Sequence, residues 1–393
     1  MKILHMADLH LGAKVAGKDR LEKQKKVMSE IAEICDQENI DIVIIAGDVY
    51  NSSTPSALAE ELFYQTVEQL SNGGNRFVFV LSGNHDHPKR LCAGLPLAFK
   101  HNIVLAGDLE ALSPDKFARD KEIKVIGSGE GFIKLEKNNE KVVIAYLPYD
   151  STFENLDGDK SYGESVNALA NKCAVGFEEN SFNVFVSHLF MVGACLNGDK
   201  KVQVGDVFAV GINQIPKADY IALGHLHRNQ EIAPNIWYSG STSRLSVGSY
   251  PLCVNIVKTN GKSCEVYQKI LQSAERFETL KVSNFDEAKE KLKEFDSQDM
   301  VELIFSTKEP LKASETKILR KEFPCINSIA IEFEKDQEQV EEQNNVKLRK
   351  NLPDCELFKE FYKSKRFVYP RESLLELFME CKGGQDETNK TDF

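Results

Sequence analysis

The first half of the chain alternates between short apolar runs and longer amphipathic segments. Three runs rich in Ile and Val cover residues 2–7, 41–46 and 76–81, and such runs are typical of strands buried on both faces. Between the first two runs, residues 20–37 carry apolar side chains at roughly helical spacing. The pattern therefore predicts a helix that links two buried strands.

A second helix is predicted between the second and third runs, since Thr54 and Pro55 offer an N-cap and a first helical position for a helix through Leu70. The resulting β-α-β-α-β order favours a parallel sheet. Later strand candidates have less helix between them, so we expect a mixed sheet and a two-sheet α/β sandwich flanked by helices. These later candidates are 142–147, 183–187, 220–223, 237–239 and 252–257.

The last third of the chain predicts a small α+β domain followed by two short helices. Its strands are expected at 277–282, 300–306 and 328–333, its helices at 286–295 and 314–323, and the later helices at 354–363 and 371–380. The predicted organisation is a first domain over 1–275, an α+β domain over 276–333, an acidic linker over 334–350, a helical segment over 351–382 and a disordered tail over 383–393.

The helical segment carries an apolar stripe that the sequence alone assigns in two ways. It could pack against its own domain, or it could dock onto the helices of another protein, because an acidic linker separates it from the rest of the chain. The stripe consists of Leu357, Phe358, Phe361, Tyr362, Leu374, Leu375 and Phe378.

Composition and charge narrow the class of protein. Hydrophobic residues make up 42% and charged residues 28%, which is ordinary for a globular chain. A net charge of -11 argues against a basic protein that coats DNA without sequence preference. It does not exclude a nucleic-acid substrate, because bound divalent ions could make the local electrostatic potential positive. Nine scattered cysteines without a C-x-x-C pair, and no leader or membrane-length apolar run, favour a soluble cytoplasmic protein with reduced thiols.

Polar clusters follow five of the predicted strands, and they contain five of the eight histidines. In α/β sheets, ligands bind beyond the carboxyl ends of the strands, so these clusters are expected to meet at one rim. The clusters contain Asp8, His10, Asp48, Asn84, His85, Asp86, His188, His225 and His227.

These residue types predict a site for divalent metal ions. Manganese, iron and zinc accept mixed imidazole and carboxylate ligands, and imidazole argues against a site built for magnesium alone. On an extended strand end, the D-x-H and H-x-H spacings place both side chains on one face. Asp48, which stands alone after its strand beside Gly47, is the natural carboxylate to bridge two ions.

Structural roles are the alternative for each of these residues taken singly. A lone His10 or His188 would more often be a structural residue, but the convergence of five histidines with carboxylates favours the metal site. By contrast, His5 lies within a predicted strand and is expected to be buried in packing, while His87 and His101 are expected at the surface.

The order D-x-H, G-D, G-N-H-D, H and G-H-x-H resembles the calcineurin-like metallophosphoesterases. More closely, the stretches D-L-H-L-G at 8–12, A-G-D-V-Y at 46–50 and A-L-G-H-L-H at 222–227 resemble SbcD-type DNA-repair nuclease subunits. The resemblance covers roughly residues 1–275 strongly and the remainder more loosely. It departs from the family at Asn51 and in the loop 241–249.

The resemblance implies roles for individual residues. His85 is implied to orient the scissile phosphate and help protonate the leaving oxygen, with Asp86 as the partner that fixes its tautomer. The implied cofactor is a pair of divalent ions, with manganese favoured. One ion would be held by Asp8, His10, Asp48 and His227, and the other by Asp48, Asn84, His188 and His225.

The resemblance also implies an activity and partners. SbcD-type subunits degrade double-stranded DNA ends as exonucleases and cut single strands or hairpins as endonucleases, in DNA repair, recombination and replication. The implied partner is an SbcC-type ATPase whose coiled coil is held by the C-terminal helices. A homodimer within a heterotetramer is implied, with helices near 55–70 and 90–99 as candidates for the dimer contact. The small α+β domain would cap the substrate, and the complex would work in the cytoplasm at the nucleoid.

Two other functions remain compatible with the sequence. A small-molecule phosphatase or a cyclic-nucleotide phosphodiesterase could use the same metal chemistry. A non-catalytic scaffold stabilised by metal is the alternative of another class. The sequence contains no G-x-x-x-x-G-K-[ST] segment, so any ATP dependence must come from another chain.

Overall fold

The structure is a computed structural model, and it describes most of the chain. The described residues are 1–15, 17–149, 161–195, 208–245, 250–307, 313–333, 357–359, 361–362, 369–372, 374–375 and 377–378. The predicted linker at 334–350, the predicted tail at 383–393 and residues 246–249 of the loop lie outside them.

The strands are β1 (Lys2–Met6), β2 (Lys14–Val15), β3 (Lys18–Asp19), β4 (Ile42–Ala46), β5 (Phe77–Leu81), β6 (Ile103–Ala106), β7 (Lys124–Gly129), β8 (Phe132–Lys137), β9 (Glu140–Leu147), β10 (Phe182–His188), β11 (Phe190–Met191), β12 (Ala209–Val210), β13 (Tyr220–Gly224), β14 (Gln230–Ala233), β15 (Ile236–Tyr238), β16 (Cys253–Asn260), β17 (Ser263–Ile270), β18 (Phe277–Val282), β19 (Met300–Thr307) and β20 (Ile326–Phe333). The α-helices are α1 (Leu21–Gln37), α2 (Ala57–Ser71), α3 (Pro88–Leu91), α4 (Leu95–Ala98), α5 (Tyr162–Cys173), α6 (Phe285–Leu292) and α7 (Ala313–Glu322). Short 3-10 turns cover Asn72–Gly74, Cys92–Gly94, Phe99–His101, Pro114–Lys116, Ala174–Gly176 and Ile212–Gln214.

The first sheet has six strands in the order β17-β16-β1-β4-β5-β6. Strands β1, β4, β5 and β6 are parallel. The alternation of strand and helix predicted the first three, whereas β6 was not among the predicted strands. Strand β16 pairs antiparallel with both β1 and β17, so the sheet is mixed at that edge. The parallel strands end at one edge of the sheet, where the polar clusters begin.

The second sheet has seven strands in the order β14-β15-β13-β10-β9-β8-β7. Strands β9, β10, β13 and β15 are parallel, whereas β14, β8 and β7 run antiparallel to their neighbours. Strands β7, β8 and β17 were not predicted from the sequence. Their partly exposed side chains give them no continuous apolar run.

One apolar core lies between the two sheets. It joins Ile42, Ile44 and Phe79 of the first sheet to Ile144 and Val184 of the second, all fully buried. Strands buried in this way need apolar residues on both faces, which explains the Ile and Val runs. The predicted two-sheet sandwich is confirmed.

Helices cover the outer faces of the sandwich. α1 and α2 pack their apolar faces on the first sheet, and α5 packs on the second. The start of α2 differs from the prediction, because Ser56 and not Thr54 is the N-cap. The Oγ of Ser56 accepts a hydrogen bond from the N–H of Ala59 at 3.3 Å, so the helix begins at Ala57 and not at Pro55.

The chain divides into two compact units, one formed by residues 1–305 and 311–330 and the other by 306–310 and 331–393. The predicted strands and helices of the α+β segment are present as β18, α6, β19, α7 and β20, with strand order β18-β19-β20. A capping role for this segment stays a prediction. In the second unit, the rings of Phe358 and Phe378 stack with centroids 4.2 Å apart, so the two stretches of the apolar stripe meet.

None of the described helices is long and apolar enough to cross a membrane. The cysteines of the described part are free thiols, as predicted: Cys35, Cys92, Cys173, Cys195, Cys253, Cys264 and Cys325.

Candidate metal centre

The structure brings the seven predicted metal ligands together at the carboxyl ends of five parallel strands. β1, β4 and β5 supply ligands from the first sheet, and β10 and β13 supply them from the second. The rim is therefore shared by both sheets of the sandwich. The residues at these strand ends are Asp8, His10, Asp48, Asn84, His188, His225 and His227.

One group of potential ligands contains Asp8, His10 and His227, whose ligand atoms lie within 4.8 Å of one another. The Nε2 atoms of His10 and His227 are 3.2 Å apart, and the His10 Nε2 is 3.5 Å from Oδ2 of Asp48. Both imidazoles thus present a ring nitrogen to the same small space beside Asp48.

A second group contains Asp48, His188 and His225. Nε2 of His188 lies 3.4 Å from Oδ2 of Asp48 and 3.2 Å from Nδ1 of His225. Oδ1 of Asn84 completes the group, at 3.0 Å from His188 Nε2 and 2.9 Å from His225 Nδ1. The same carboxylate oxygen of Asp48 therefore faces an imidazole of each group.

The donor set of the second group fits a cation. Nδ1 of His188 lies 2.8 Å from the carbonyl oxygen of Ala46, so it carries a proton and donates it there. Nε2 of the same ring faces the oxygens of Asp48 and Asn84, which are both acceptors. Lone pairs that converge in this way repel each other unless a proton or a metal ion lies among them.

Burial sets the protonation of the centre. It lowers the pKa of His10 and His225 to about 3, so both imidazoles are neutral, the form that binds metal. Burial opposes ionisation of Asp48, but the imidazoles of His188 and His10 hold the pKa of its carboxyl well below its usual range. Burial raises the pKa of Asp8 to about 7.

His188 differs from the other imidazoles of the centre. Burial opposes its charge, yet the neighbouring carboxylate of Asp48 raises its pKa to about 9. Its Nε2 is the nitrogen that faces Asp48, so a metal ion bound there takes the place of a proton.

The backbone at the centre is not extended, which corrects the expectation drawn from the D-x-H and H-x-H spacings. Asp8, His10, Asp48 and His225 have φ values of 53°, 43°, 49° and 97°. A left-handed conformation costs a non-glycine residue roughly 1–2 kcal/mol, so these residues are held by their surroundings. The side chains meet through tight turns beyond the strands and not by alternation along them.

Glycines allow the close approach of the two sheets at this point. A Cβ on Gly47, which has φ 93°, would lie 2.2 Å from Nδ1 of His188. A Cβ on Gly224 would lie 1.9 Å from the carbonyl oxygen of Ala46. A side chain at either position would therefore push these strand ends apart.

His85 lies at the exposed side of the centre. Its N–H donates to Oδ1 of Asp48 at 2.8 Å, and its ring Nδ1 lies 3.1 Å from the carbonyl oxygen of Asn51. That carbonyl fixes Nδ1 as the protonated nitrogen, and Nε2 lies 4.0 Å from Oδ2 of Asp48. The ring is thus oriented beside the ligands with an accessible face.

The structure corrects the contact predicted for Asp86. Its carboxylate does not reach the ring of His85, whose Nδ1 is oriented by Asn51. It accepts hydrogen bonds from the N–H groups of Val49 at 3.1 Å, Tyr50 at 2.9 Å and Gly83 at 2.9 Å. Asp86 therefore ties together the two loops that carry Asp48 and Asn84.

Two residues that were not predicted from the sequence hold the backbone of the loop that carries Asp8 and His10. Gln24, on α1, bonds the backbone of the loop around His10. Ser241 donates its hydroxyl to the carbonyl oxygen of Asp8 at 2.9 Å. Gln24 had a usable sequence signal, because it is a polar residue on the otherwise apolar face of α1. In the loop 241–249, where the sequence departs from the family, residues 241–244 are buried.

The other histidines lie where the sequence predicted. His5 is buried, with Nδ1 at 2.9 Å from the hydroxyl of Tyr220, while His87 and His101 are exposed.

Two packed mixed sheets with a shared rim of imidazoles and carboxylates define a metallophosphoesterase. Residues 1–229 match the calcineurin-like phosphoesterase family. The D subunit of nuclease SbcCD from Bacillus subtilis (strain 168) is 30% identical over 98% of this chain and 99% of that protein. The protein of the same name from Staphylococcus epidermidis is 30% identical over 63% of this chain and 62% of that protein.

The chain belongs to the calcineurin-like phosphoesterase family and is a metal-dependent phosphodiester hydrolase. Among solved structures, TT1561 of Thermus thermophilus aligns with 68% of this chain and 98% of that one. Its identity of 12% and TM-score of 0.39 are too low to bear on the fold.

Proposed function

We propose that this chain is the nuclease subunit of a DNA-processing complex and hydrolyses DNA phosphodiesters with two divalent metal ions. The observation that carries the proposal is the position of Asp48. Its Oδ2 lies 3.5 Å from Nε2 of His10 and 3.4 Å from Nε2 of His188, so it faces both groups of ligands. The names of the two similar proteins support a nuclease over a phosphatase or a cyclic-nucleotide phosphodiesterase.

The proposed ligands follow from the two groups. Manganese is the proposed ion, as the resemblance to SbcD-type subunits implies, and the set of imidazole, carboxylate and amide oxygen ligands is compatible with it. The first ion takes Asp8, His10, Asp48 and His227, and the second takes Asp48, Asn84, His188 and His225.

Two such ions, when bound, supply an activated water and neutralise the phosphate oxygens. The protein's own part is to orient the phosphate and move a proton. His85 is the proposed acid: when its ring is protonated, Nδ1 keeps its hydrogen bond to Asn51 and Nε2 can donate to the leaving oxygen. Asp86 is proposed to hold His85 and Asn84 in place through the backbone of their loop and not through the ring of His85.

The proposed substrates are double-stranded ends, degraded exonucleolytically, and single strands or hairpins, cut endonucleolytically, in DNA repair, recombination and replication at the nucleoid. The exposed position of His85 supports access by a polymer, and the α+β segment at 276–333 is proposed to cap the bound DNA. The test is hydrolysis of an end-labelled duplex, a labelled hairpin and a small phosphomonoester with manganese. Cleavage of the phosphomonoester but of neither DNA would contradict the proposal, and the Asp48→Asn variant controls for contaminating nucleases.

The apolar stripe near the carboxyl end is proposed to dock on the coiled coil of an SbcC-type ATPase, which also supplies any ATP dependence. Phe358 and Phe378 of the stripe stack on each other, while Leu357 and Phe361 are exposed. Removing residues 346–393 should abolish binding of such a partner measured by titration calorimetry. Removing only residues 383–393 is the matched control and should leave binding unchanged. Equal binding by both truncated chains would contradict the docking.

A homodimer is proposed through an apolar surface formed by α2 and the short helices after α3. Leu97 is 81% exposed, and Leu58 on α2 is 63% exposed. Leu97 borders a recess of about 570 Å³ that Tyr64 and Val67 of α2 also line. Leu97→Glu should convert a dimer into a monomer in light scattering, whereas Val175→Glu, at a residue 74% exposed elsewhere, should not. With the ATPase, such a dimer would form a heterotetramer.

A further inference from the structure

The loop from Asp8 to Gly12 has a conformation that it cannot maintain by itself. Asp8 and His10 have φ values of 53° and 43°, and Gly12 follows with 82°. Each non-glycine residue in this region costs free energy, which the rest of the fold must offset. Backbone bonds hold one side of the loop, since the N–H of His10 donates to Asp48 and that of Leu11 donates to Val49.

On the other side, Ser241 bonds the carbonyl oxygen of Asp8, and the side chain of Gln24 bonds three further peptide groups of the loop. Its Nε2 donates to the carbonyl oxygen of His10 at 2.8 Å and to that of Leu9 at 3.2 Å. Its Oε1 accepts from the N–H of Gly12 at 3.0 Å. Gln24 is fully buried, so no water can replace these bonds. Both hydrogens and the oxygen of the amide are committed to three peptide groups of the loop.

We infer that Gln24 is a positioning residue that fixes the His10 loop in its metal-binding conformation. The side chain does not touch the ligand atoms, and it acts on His10 through the peptide groups on both sides of it. This inference rests on the proposed role of His10 as a metal ligand. An apolar residue at position 24 would fill the space but leave the buried carbonyl oxygen of Leu9 and the N–H of Gly12 unsatisfied. The carbonyl oxygen of His10 would keep only its bond from the N–H of Ala13, so the loop would relax.

Gln24 is linked by hydrogen bonds to the α+β segment. The N–H of Gln24 donates to the carbonyl oxygen of Arg20 at 2.8 Å, and the N–H of Arg20 donates to Ala13 at 3.2 Å. The buried guanidinium of Arg20 donates to the carbonyl oxygen of Gln298 and to its Oε1. Continuous hydrogen bonds therefore run from Gln298 through Arg20 and Gln24 to His10, and Arg20 holds the start of α1 against the α+β segment.

Manganese titration of the full-length apoprotein by calorimetry, with melting temperatures before and after addition of the ion, tests the inference. Gln24→Met is expected to weaken one of two Mn²⁺ sites roughly tenfold or more, as loss of a group that orients a ligand commonly does. The gain in melting temperature on adding manganese should shrink accordingly. If Gln24→Met does not fold, Gln24→Asn replaces it, since asparagine keeps the amide but is too short to reach the loop fully. This variant should likewise weaken one Mn²⁺ site and reduce the gain in melting temperature. Arg20→Met should weaken the same site, and its effect should not add to that of Gln24→Met.

Arg76→Met is the matched control. Arg76 is also a buried long side chain that donates to two backbone carbonyl oxygens, those of Ile40 and Leu70, but at the amino ends of the strands. It should lower the melting temperature and leave both manganese sites intact. If Gln24→Met lowers the melting temperature but binds both ions as wild type does, Gln24 is only structural and the inference is wrong. A wild-type chain that binds fewer than two ions would instead contradict the proposed function.

Discussion

Nδ1 of His188 lies 2.8 Å from the carbonyl oxygen of Ala46, and this hydrogen bond crosses from one sheet to the other. His188 ends β10 of the seven-stranded sheet, and Ala46 ends β4 of the six-stranded sheet. The bond fixes a proton on Nδ1 and turns Nε2 toward Asp48. The packing of the two sheets thereby determines which nitrogen of His188 is available to a metal ion.

His188→Ala should remove one manganese site and leave the site of Asp8, His10 and His227 weakened but present. We expect kcat to fall by more than the roughly 10–100-fold that loss of a ligand-orienting group costs. Metal content by elemental analysis and steady-state hydrolysis of labelled DNA measure the two effects. His101→Ala, at an exposed histidine away from the rim, is the control, and an equal loss in both variants would contradict the assignment.

His85→Ala should keep both manganese ions and lose most turnover. The ring is oriented by Asn51 and stands beside the ligand groups, so removing it deletes a proton donor, an effect worth roughly 10²–10⁴ in rate. Single-turnover hydrolysis, together with a manganese titration, separates the chemical step from metal binding. Loss of an ion in this variant would make His85 a ligand.

Gly47→Ala should weaken manganese binding because of a steric clash with His188, in addition to any backbone strain. Its Cβ would lie 2.2 Å from Nδ1 of His188, in a residue whose φ is 93°. Gly261→Ala is the matched control, because Gly261 also has a positive φ, 59°, but a Cβ there meets nothing within 4 Å. Both variants should lose some stability in urea unfolding, and only Gly47→Ala should lose manganese affinity.

The sequence predicted the parts of this molecule that depend on local pattern. Buried parallel strands need unbroken apolar runs, so β1, β4, β5, β10 and β13 were found with their polar ends, and those ends carry the candidate ligands. The left-handed φ values of Asp8 and His10 were not predictable, because they are imposed by contacts with Asp48, Val49 and Gln24 from elsewhere in the chain.

The contact of Asp86 was predicted wrongly for a similar reason. Its position next to His85 in sequence suggested a contact with the ring, but in a tight loop the next side chain points the other way and meets the N–H groups of Val49 and Tyr50. Strand β7, at the edge of its sheet, and β8 beside it were missed because their mixed polar and apolar sequence resembles loop sequence.

Glu38 should make folding depend on pH. Hydrogen bonds from Lys269 and Tyr267 lower the pKa of Glu38 to about 2, from the 4.5 expected in the unfolded chain. Since the folded pKa is the lower one, the stabilisation is present above about pH 4.5 and is lost as the pH falls toward 2. Glu38→Gln should therefore lower the free energy of unfolding at pH 7 by roughly 1 kcal/mol or less, and by a smaller amount at pH 4. Urea unfolding at both values measures this, and a larger loss at pH 4 would contradict it.

The central claim is that Asp48 is shared by two metal ions, and the stoichiometry of manganese binding tests it most directly. Titration calorimetry of the metal-free chain should give two Mn²⁺ ions for wild type. Asp48→Asn should impair both sites together, since its Oδ2 faces His10 and His188 at 3.5 and 3.4 Å. A wild-type stoichiometry of one, or an Asp48→Asn variant that loses one ion and binds the other with unchanged affinity, would contradict a shared carboxylate.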